Sequence, residues 1–119
     1  MGQGDPMTAK SKLLTTPPHA VEHSLKRLGA DIKTARLRRN LTLADVAQKV
    51  GTSIRTIADA EKGKPSTSMA VYAAILWTAD LLGQLDEVAR PERDDEGQQL
   101  ALARERSRAR SRTGLSNDF

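Results

Sequence analysis

The chain has 119 residues, of which 38% are hydrophobic and three are aromatic, and it contains no cysteine. No apolar run approaches the roughly 18 residues that a membrane span requires, and the lack of cysteine excludes a disulfide framework and a thiolate metal site. The formal charge of +4 permits a nucleic-acid partner without requiring one, and the absence of thiols agrees with a cytoplasmic location.

The charge is unevenly distributed along the chain. Residues 22–66 carry ten bases and five acids, a net charge of +5, whereas residues 67–103 carry two bases and seven acids, a net charge of −5. The remaining blocks are basic, with +1 over residues 1–21 and +3 over residues 104–119. Such blocks are common on solvated surfaces, but they also allow one part of the chain to face an anion while another faces a basic partner.

Residues 1–20 differ in composition from the rest of the chain. Glycine, threonine and proline are frequent there, including the Pro17–Pro18 pair, and this composition predicts a disordered N-terminal arm. Met7 is an alternative start, in which case Met1–Pro6 is an expression remnant, and the sequence leaves both open.

A helical domain is predicted over residues 21–90, because helix formers dominate there and no sustained alternation indicates a strand. The first helix is predicted over about Val21–Arg39, and Asn40 is expected to end it in the left-handed conformation. Its apolar face is predicted from the helical spacing of Leu25, Leu28, Ile32 and Ala35.

Two short helices come next, separated by a glycine. Thr42 is expected to cap the first of them, with Asp45 in the first turn and Gly51 at the end. Ser53 is expected to cap the second, which is predicted over Ile54–Lys62.

Two further helices are predicted over about Ser68–Trp77 and Asp80–Ala89, with Pro91 as a stop. Residues 91–119 are then expected to form an acidic linker and an Arg-rich tail whose role stays open. Helix propensity also allows a helix over Gln98–Arg112, but too few apolar residues are present to bury it, which favours a frayed or disordered tail.

The junction of the two short helices has the steric pattern of a helix-turn-helix unit. Ala47 is small where the helices must cross, Gly51 permits the sharp turn, and Ile57 is placed to fill the core. A larger side chain at Ala47 would push the helices apart, and a β-branched residue at Gly51 would resist the turn.

The segment Thr42–Lys64 resembles the core of the Cro-like XRE family of helix-turn-helix regulators. The matching positions are Leu41, Ala47, Gly51, Ser53, Thr56, Ile57, Glu61 and Gly63. The sequence departs from the family pattern at Ala60, where a larger apolar residue is usual, and at Ala79–Asp80, where a Leu–Gly pair is common. The resemblance covers about residues 25–85 and implies an all-α, five-helix, lambda-repressor-like domain.

The resemblance implies that Ile54–Lys62 is a recognition helix for double-stranded operator DNA. Arg55 is the expected base reader, because a bidentate Arg–guanine contact is the commonest specific pairing, and Ile54 is expected on a thymine methyl. Asp59 is expected to orient Arg55, with a contact to cytosine as the alternative. The remaining DNA-contacting residues that the resemblance implies are Thr42, Leu43, Ser53, Thr56, Lys62, Lys64 and Ser66.

The resemblance also implies a structural pair, and the DNA-binding function predicts a homodimer. Arg36 is expected to bridge the first helix and the end of the recognition helix through Glu61, the alternative being two solvated charges. A dimer is expected because one recognition helix reads few base pairs, whereas two half-sites multiply specificity. The interface is expected on the fourth and fifth predicted helices, through Tyr72, Leu76, Trp77, Leu81, Leu82 and Leu85.

Residues 85–97, with the Arg-rich end, resemble regulators encoded beside HipA-type kinase toxins. This implies a HipB-like antitoxin that represses its own toxin–antitoxin operon and binds the toxin. The alternatives are a free-standing XRE repressor and a protein–protein adaptor on the same fold. No enzyme, cofactor or metal is expected, because no Gly-rich phosphate loop exists and His19 and His23 lack a third ligand.

Overall fold

The computed structural model describes the backbone of residues 11–117 and the side chains of residues 11–112, and this part of the chain contains helices and no strands. The predicted all-α fold is confirmed. The α-helices are α1 (Lys12–Thr15), α2 (His19–Arg38), α3 (Leu43–Val50), α4 (Ile54–Glu61), α5 (Met69–Thr78) and α6 (Asp95–Asn117), and 3-10 helices cover Leu82–Glu87 and Pro91–Arg93. None of these described helices is both long and apolar enough to cross a membrane. The chain divides into two compact units between Gly83 and Gln84.

Helix α2 begins two residues before its predicted start at Val21 and ends one residue before its predicted end at Arg39. Pro18 occupies the N-cap position. Its missing N–H costs the helix no hydrogen bond there, because an N–H at that position would have no partner within the helix. At the other end Asn40 adopts φ 55°, the left-handed conformation that stops a helix. The described part of the predicted N-terminal arm contains the single turn α1, and residues 1–10 lie outside the described part.

The core of the first unit is formed by α2, α3, α4 and α5. Ile57 and Ala60 on α4 have 0% exposure, and Val46 on α3 has 1%. Full burial of a valine or isoleucine side chain stabilises the fold by about 1.5–3 kcal/mol. The buried core cluster consists of Ile32, Val46, Ala47, Ile57, Ala60, Tyr72 and Ile75.

Helix α2 packs closely against the C-terminal end of α4. A Cβ at Gly29 would lie 2.5 Å from the Glu61 carbonyl oxygen and 2.8 Å from the Ala60 carbonyl oxygen. Gly63 adopts φ 70°, and a Cβ there would overlap the backbone of Leu25. The small residue at Ala60, where the family pattern has a larger one, agrees with this close approach.

The fifth predicted helix is replaced by a shorter 3-10 helix. Asp80 adopts φ 60° and Ala89 adopts φ 58°, so the backbone turns left-handed at both ends of the predicted segment. The Leu81 N–H donates to the Leu76 carbonyl at 2.8 Å and closes the end of α5. Asp80, predicted as an N-cap, therefore lies in the C-terminal turn of α5, and only Leu82–Glu87 remains helical in the 3-10 form that short segments adopt.

The structure also differs from the expected disordered C-terminal tail. Asp95–Asn117 forms α6, although residues 98–112 are all exposed. Asp94 begins the helix, since its Oδ1 accepts from the Gly97 N–H at 3.0 Å and its carbonyl accepts from the Gln98 N–H at 3.0 Å. Local propensity and this cap form the helix without a buried face.

Candidate nucleic-acid interface

The turn between α3 and α4 has the predicted geometry. The Gly51 N–H donates to the Ala47 carbonyl at 2.8 Å, and the Thr52 N–H donates to the same carbonyl at 3.0 Å. Gly51 adopts φ 87°, and a Cβ there would meet nothing within 4 Å, so the left-handed backbone rather than lack of space favours glycine. Ala47 is 4% exposed beneath this turn, which lets the two helices cross closely.

Thr42 and Asp45 form a capping box at the start of α3. Thr42 Oγ1 accepts from the Asp45 N–H at 3.0 Å, and Asp45 Oδ2 accepts from the Thr42 N–H at 2.8 Å. The bond from the Thr42 backbone, aided by the Thr42 hydroxyl, holds the pKa of the Asp45 carboxyl below its usual value. The two residues fix the helix end where Thr42 and the half-buried Leu43 are predicted to meet a phosphate.

The first turn of α4 presents Ile54 and Arg55 to solvent. Ser53 Oγ accepts from the Thr56 N–H at 3.1 Å, and the hydroxyl oxygens of these two residues lie 2.8 Å apart. Ile54 is 51% exposed, and Arg55 beside it is also exposed. Among the described residues Arg55 has no ion pair. Its guanidinium is therefore available to a ligand.

Asp59 does not orient Arg55, which corrects that prediction. Its Oδ1 lies 3.1 Å from Lys64 Nζ, and its carbonyl accepts from the Lys64 N–H at 3.2 Å. The loop after α4 turns back because Gly63 is left-handed, which brings Lys64 to Asp59 instead. This pair fixes the loop that leaves α4.

Arg36 and Glu61 form a bidentate ion pair between α2 and α4. Arg36 Nε lies 2.6 Å from Glu61 Oε2, and Arg36 Nη2 lies 3.0 Å from Glu61 Oε1. Arg36 Nη1 also donates to the Leu41 carbonyl at 2.9 Å. The side chains are only 10% and 7% exposed, and the hydrogen bond to Glu61 raises the pKa of Arg36. The pair therefore ties the end of α4 to α2 and to the segment before α3.

The residues predicted to contact phosphate after α4 lie along one loop. Lys62 and Ser66 are exposed, whereas Lys64 is half-buried. The Tyr72 hydroxyl donates to the Lys64 carbonyl at 3.2 Å and holds the loop against α5. Burial raises the pKa of Tyr72, so its hydroxyl keeps the proton that it donates.

The residues predicted for a dimer interface fall into different environments. Tyr72 is 3% exposed inside the core and cannot form a surface, which corrects that prediction. Leu76 and Leu81 are half-buried, and Leu85 is half-buried in the second unit. Trp77 is 53% exposed and Leu82 is 37% exposed, so these two are the predicted interface residues open to a partner.

Two long-range contacts around the site, Arg39 with Ala79 and Lys49 with Trp77, have no short-range sequence signal. Arg39, the C-cap of α2, donates from Nη2 to the Ala79 carbonyl at 2.9 Å, and a local bond from its Nη1 to the Ala35 carbonyl at 2.9 Å orients the guanidinium. Lys49 Nζ lies 5.5 Å from the centre of the Trp77 ring, a cation–π contact between α3 and α5. Both contacts position the helices that carry the site.

These features define a class of protein. Two short helices joined by a left-handed glycine, the second with an exposed first turn, form a helix-turn-helix unit. The Helix-turn-helix domain family model matches residues 27–91, more than half of the chain, and the chain belongs to this family. It is a helix-turn-helix DNA-binding regulator. Searches among curated proteins and among solved structures found no match.

Proposed function

We propose that the protein is a sequence-specific transcriptional repressor that places α4 in the major groove of its operator, in the cytoplasm. The first turn of α4 carries this proposal, because it exposes Ile54 and an Arg55 guanidinium with no ion pair among the described residues. Such a side chain can read the O6 and N7 atoms of a guanine. The partly buried Arg36–Glu61 pair supports the proposal, since it ties the end of α4 to α2.

The charge around α4 also supports DNA binding. Residues 22–66 have a net charge of +5, and Lys62 and Ser66 are exposed in the loop that follows α4. Lysine and hydroxyl groups at such places contact phosphates and position a reading helix, while base contacts supply the sequence preference. We therefore assign Thr42, Leu43, Lys62, Lys64 and Ser66 to the backbone and Ser53, Ile54, Arg55 and Thr56 to the groove.

The test compares the chain and its Arg55→Ala variant on a duplex from its own promoter and on a scrambled duplex. Loss of one bidentate base contact, worth about 1–3 kcal/mol, should reduce the preference for the promoter by about 5- to 150-fold. Arg27→Ala, which removes an exposed arginine of α2, is the matched control and should keep the preference. An unchanged promoter preference and footprint in Arg55→Ala would show that α4 does not read the operator.

We further propose that the repressor is a HipB-like antitoxin that binds a HipA-type kinase toxin. It is supported by the resemblance of residues 85–97 and by the net charge of −5 over residues 67–103, which suits a basic partner. Mixing the chain with the product of the gene next to its own should then give a complex in size-exclusion chromatography. A neighbouring gene without a kinase-like product, or separate elution, would leave the free-standing repressor.

An adaptor on the same fold is the competing class of function. A protein interface built on apolar contacts resists salt, whereas phosphate binding weakens steeply as salt rises. The exposed Arg55 and the basic block favour DNA. A titration of promoter binding against salt separates the two classes, because an adaptor would show no salt-dependent promoter binding.

A further inference from the structure

Helix α6 carries a run of alternating arginines that the helix-turn-helix unit does not use. Five arginines occupy every second position from Arg104 to Arg112, and all five are exposed. None of the five forms an ion pair with a described side chain. In the same unit Arg90 Nε lies 3.6 Å and Arg93 Nη2 lies 3.5 Å from the carboxylate of Glu87. The second unit therefore holds arginines that already have acidic partners and arginines that have none among the described residues.

The alternate spacing divides the five arginines into two stripes. Successive helical residues are separated by about 100°, so Arg104, Arg108 and Arg112 lie within about 80° of one another on one face. Arg106 and Arg110 lie about 180° from the centre of that stripe. The helix therefore carries positive charge on two opposite sides.

This arrangement is electrostatically unfavourable for the helix alone. Arginines four residues apart within each stripe repel one another, and residues 98–112 are exposed, so no buried apolar face offsets the repulsion. A polyanion with negative charge on both sides of the helix offsets the repulsion within both stripes at once. A flat row of phosphates on one side of the helix offsets the repulsion within only one stripe.

The major groove of duplex DNA has the required shape. It is about 12 Å wide and bounded on both sides by phosphates, and a helix with its side chains is about 10–12 Å across. The major groove of an A-form RNA duplex is deep and narrow and does not admit such a helix. The two-sided charge therefore favours DNA over double-stranded RNA.

We propose that α6 is a second DNA-binding element, which lies in the major groove with one arginine stripe on each phosphate wall. The inference rests on the proposed function, because it requires that the chain binds duplex DNA, but it concerns contacts that α4 does not make. These contacts are independent of sequence, so α6 adds affinity and salt dependence rather than operator preference.

The test measures the salt dependence of binding to a fluorescent duplex of scrambled promoter sequence, using the full chain. The variants are R104Q/R108Q/R112Q for one stripe and R106Q/R110Q for the other. The control is R90Q/R93Q, which removes the same two positive charges as R106Q/R110Q. Each phosphate contact contributes about −0.9 to the slope of log K against log salt. We expect the slope to fall in magnitude by about 2.7 and about 1.8 in the stripe variants and to stay unchanged in the control. Glutamine resembles arginine in helix propensity, and circular dichroism checks that α6 persists.

The outcomes separate this inference from the proposed function. Unchanged slopes in both stripe variants, with the Arg55 effect on promoter preference intact, would overturn the role of α6 and leave the repressor. If the slope changes in only one of the two stripe variants, α6 does not lie between two phosphate walls. If the stripe variants lose affinity for an RNA duplex of the same sequence but not for the DNA duplex, α6 binds RNA instead of DNA. If the unaltered chain binds no duplex, both proposals fall.

Discussion

Arg36 and Glu61 are the residues on which the orientation of α4 most depends. Truncation of Glu61 to alanine leaves a guanidinium that is 10% exposed without its acidic partner. We expect the free energy of unfolding to fall by about 3 kcal/mol, because an unpaired charge in a buried place keeps its desolvation penalty without the compensating attraction. Urea unfolding followed by circular dichroism measures this change.

The control for Glu61→Ala is Lys26→Ala, which breaks the exposed Glu22–Lys26 pair. An exposed pair of this kind contributes about 0.5 kcal/mol or less. If Glu61→Ala has an effect as small as that of Lys26→Ala, the pair does not hold α4 in place.

Asp45 makes the start of α3 sensitive to acid. Its pKa is lowered in the folded chain by the hydrogen bond from the Thr42 backbone, so its contribution to stability is present above the unfolded pKa and is lost as pH falls through the folded value. We expect Asp45→Ala to be less stable than the unaltered chain at neutral pH and equally stable once the carboxyl is protonated in both the folded and the unfolded state. Denaturant unfolding from pH 7 downwards, with Asp31→Ala on α2 as control, measures the convergence. Parallel curves at all pH values would contradict it.

At the scale of elements, Gly29 sets how closely α2 packs on α4. The added methyl of Gly29→Ala would lie 2.5 Å from the Glu61 carbonyl oxygen, and a backbone atom at a helix end cannot move without shifting α4. We expect the free energy of unfolding to fall by about 1–3 kcal/mol, as in other overpacked cores, and promoter affinity to fall as well. Gly83→Ala is the control, because a Cβ there meets nothing within 4 Å. Equal stability of the two variants would show that α2 and α4 tolerate a wider separation.

The elements also show what a sequence can predict and what it cannot. The caps at Thr42 and Ser53 and the left-handed residues Asn40 and Gly51 act within a few positions of themselves, so local residue types predict them. Asp80 was expected to cap a fifth helix, and its left-handed turn after α5 was missed because it occurs at an aspartate rather than a glycine.

Within the site, the sequence predicted which side chains are exposed to solvent better than it predicted which side chains contact one another. Ile54 and Arg55 are exposed, as the family resemblance implies. The partner of Asp59 was missed, because i, i+4 spacing favours Arg55 while the turn at Gly63 delivers Lys64. Helix α6 was predicted as a disordered tail because the segment has too few apolar residues to be buried. Helix propensity and the Asp94 cap form the helix without a buried face.

For the whole molecule, the modest net charge of +4 conceals regions that differ in sign. The basic block lies on α2 to α4 and the loop after them, which is the part assigned to operator DNA. Helix α4, which we propose reads the operator, is only eight residues long, so a single copy would read few bases. Repression of one operator among many similar sequences therefore favours two copies that act together.

A homodimer would need a surface outside the core, and Trp77 on α5 offers one. The indole is 53% exposed on a helix that also exposes Met69 at 62%, and Lys49 lies 5.5 Å from the ring centre. Burying this indole in a twofold contact would remove a large apolar side chain from water, which is the type of residue that dominates protein interfaces.

Trp77 also reports its own burial, because it is the one tryptophan of the chain. If α5 forms the dimer, the emission maximum should shift to shorter wavelength as the protein is concentrated from nanomolar to tens of micromolar, in step with the mass from sedimentation equilibrium. Trp77→Ala should remain monomeric over this range and lose promoter affinity, since each half-site then binds alone. Leu37→Ala, which removes an apolar side chain that is 55% exposed on α2, should dimerise normally. A dimer that forms without a change in Trp77 emission would place the interface elsewhere, and a chain that stays monomeric while bound to its promoter would remove the need for a dimer.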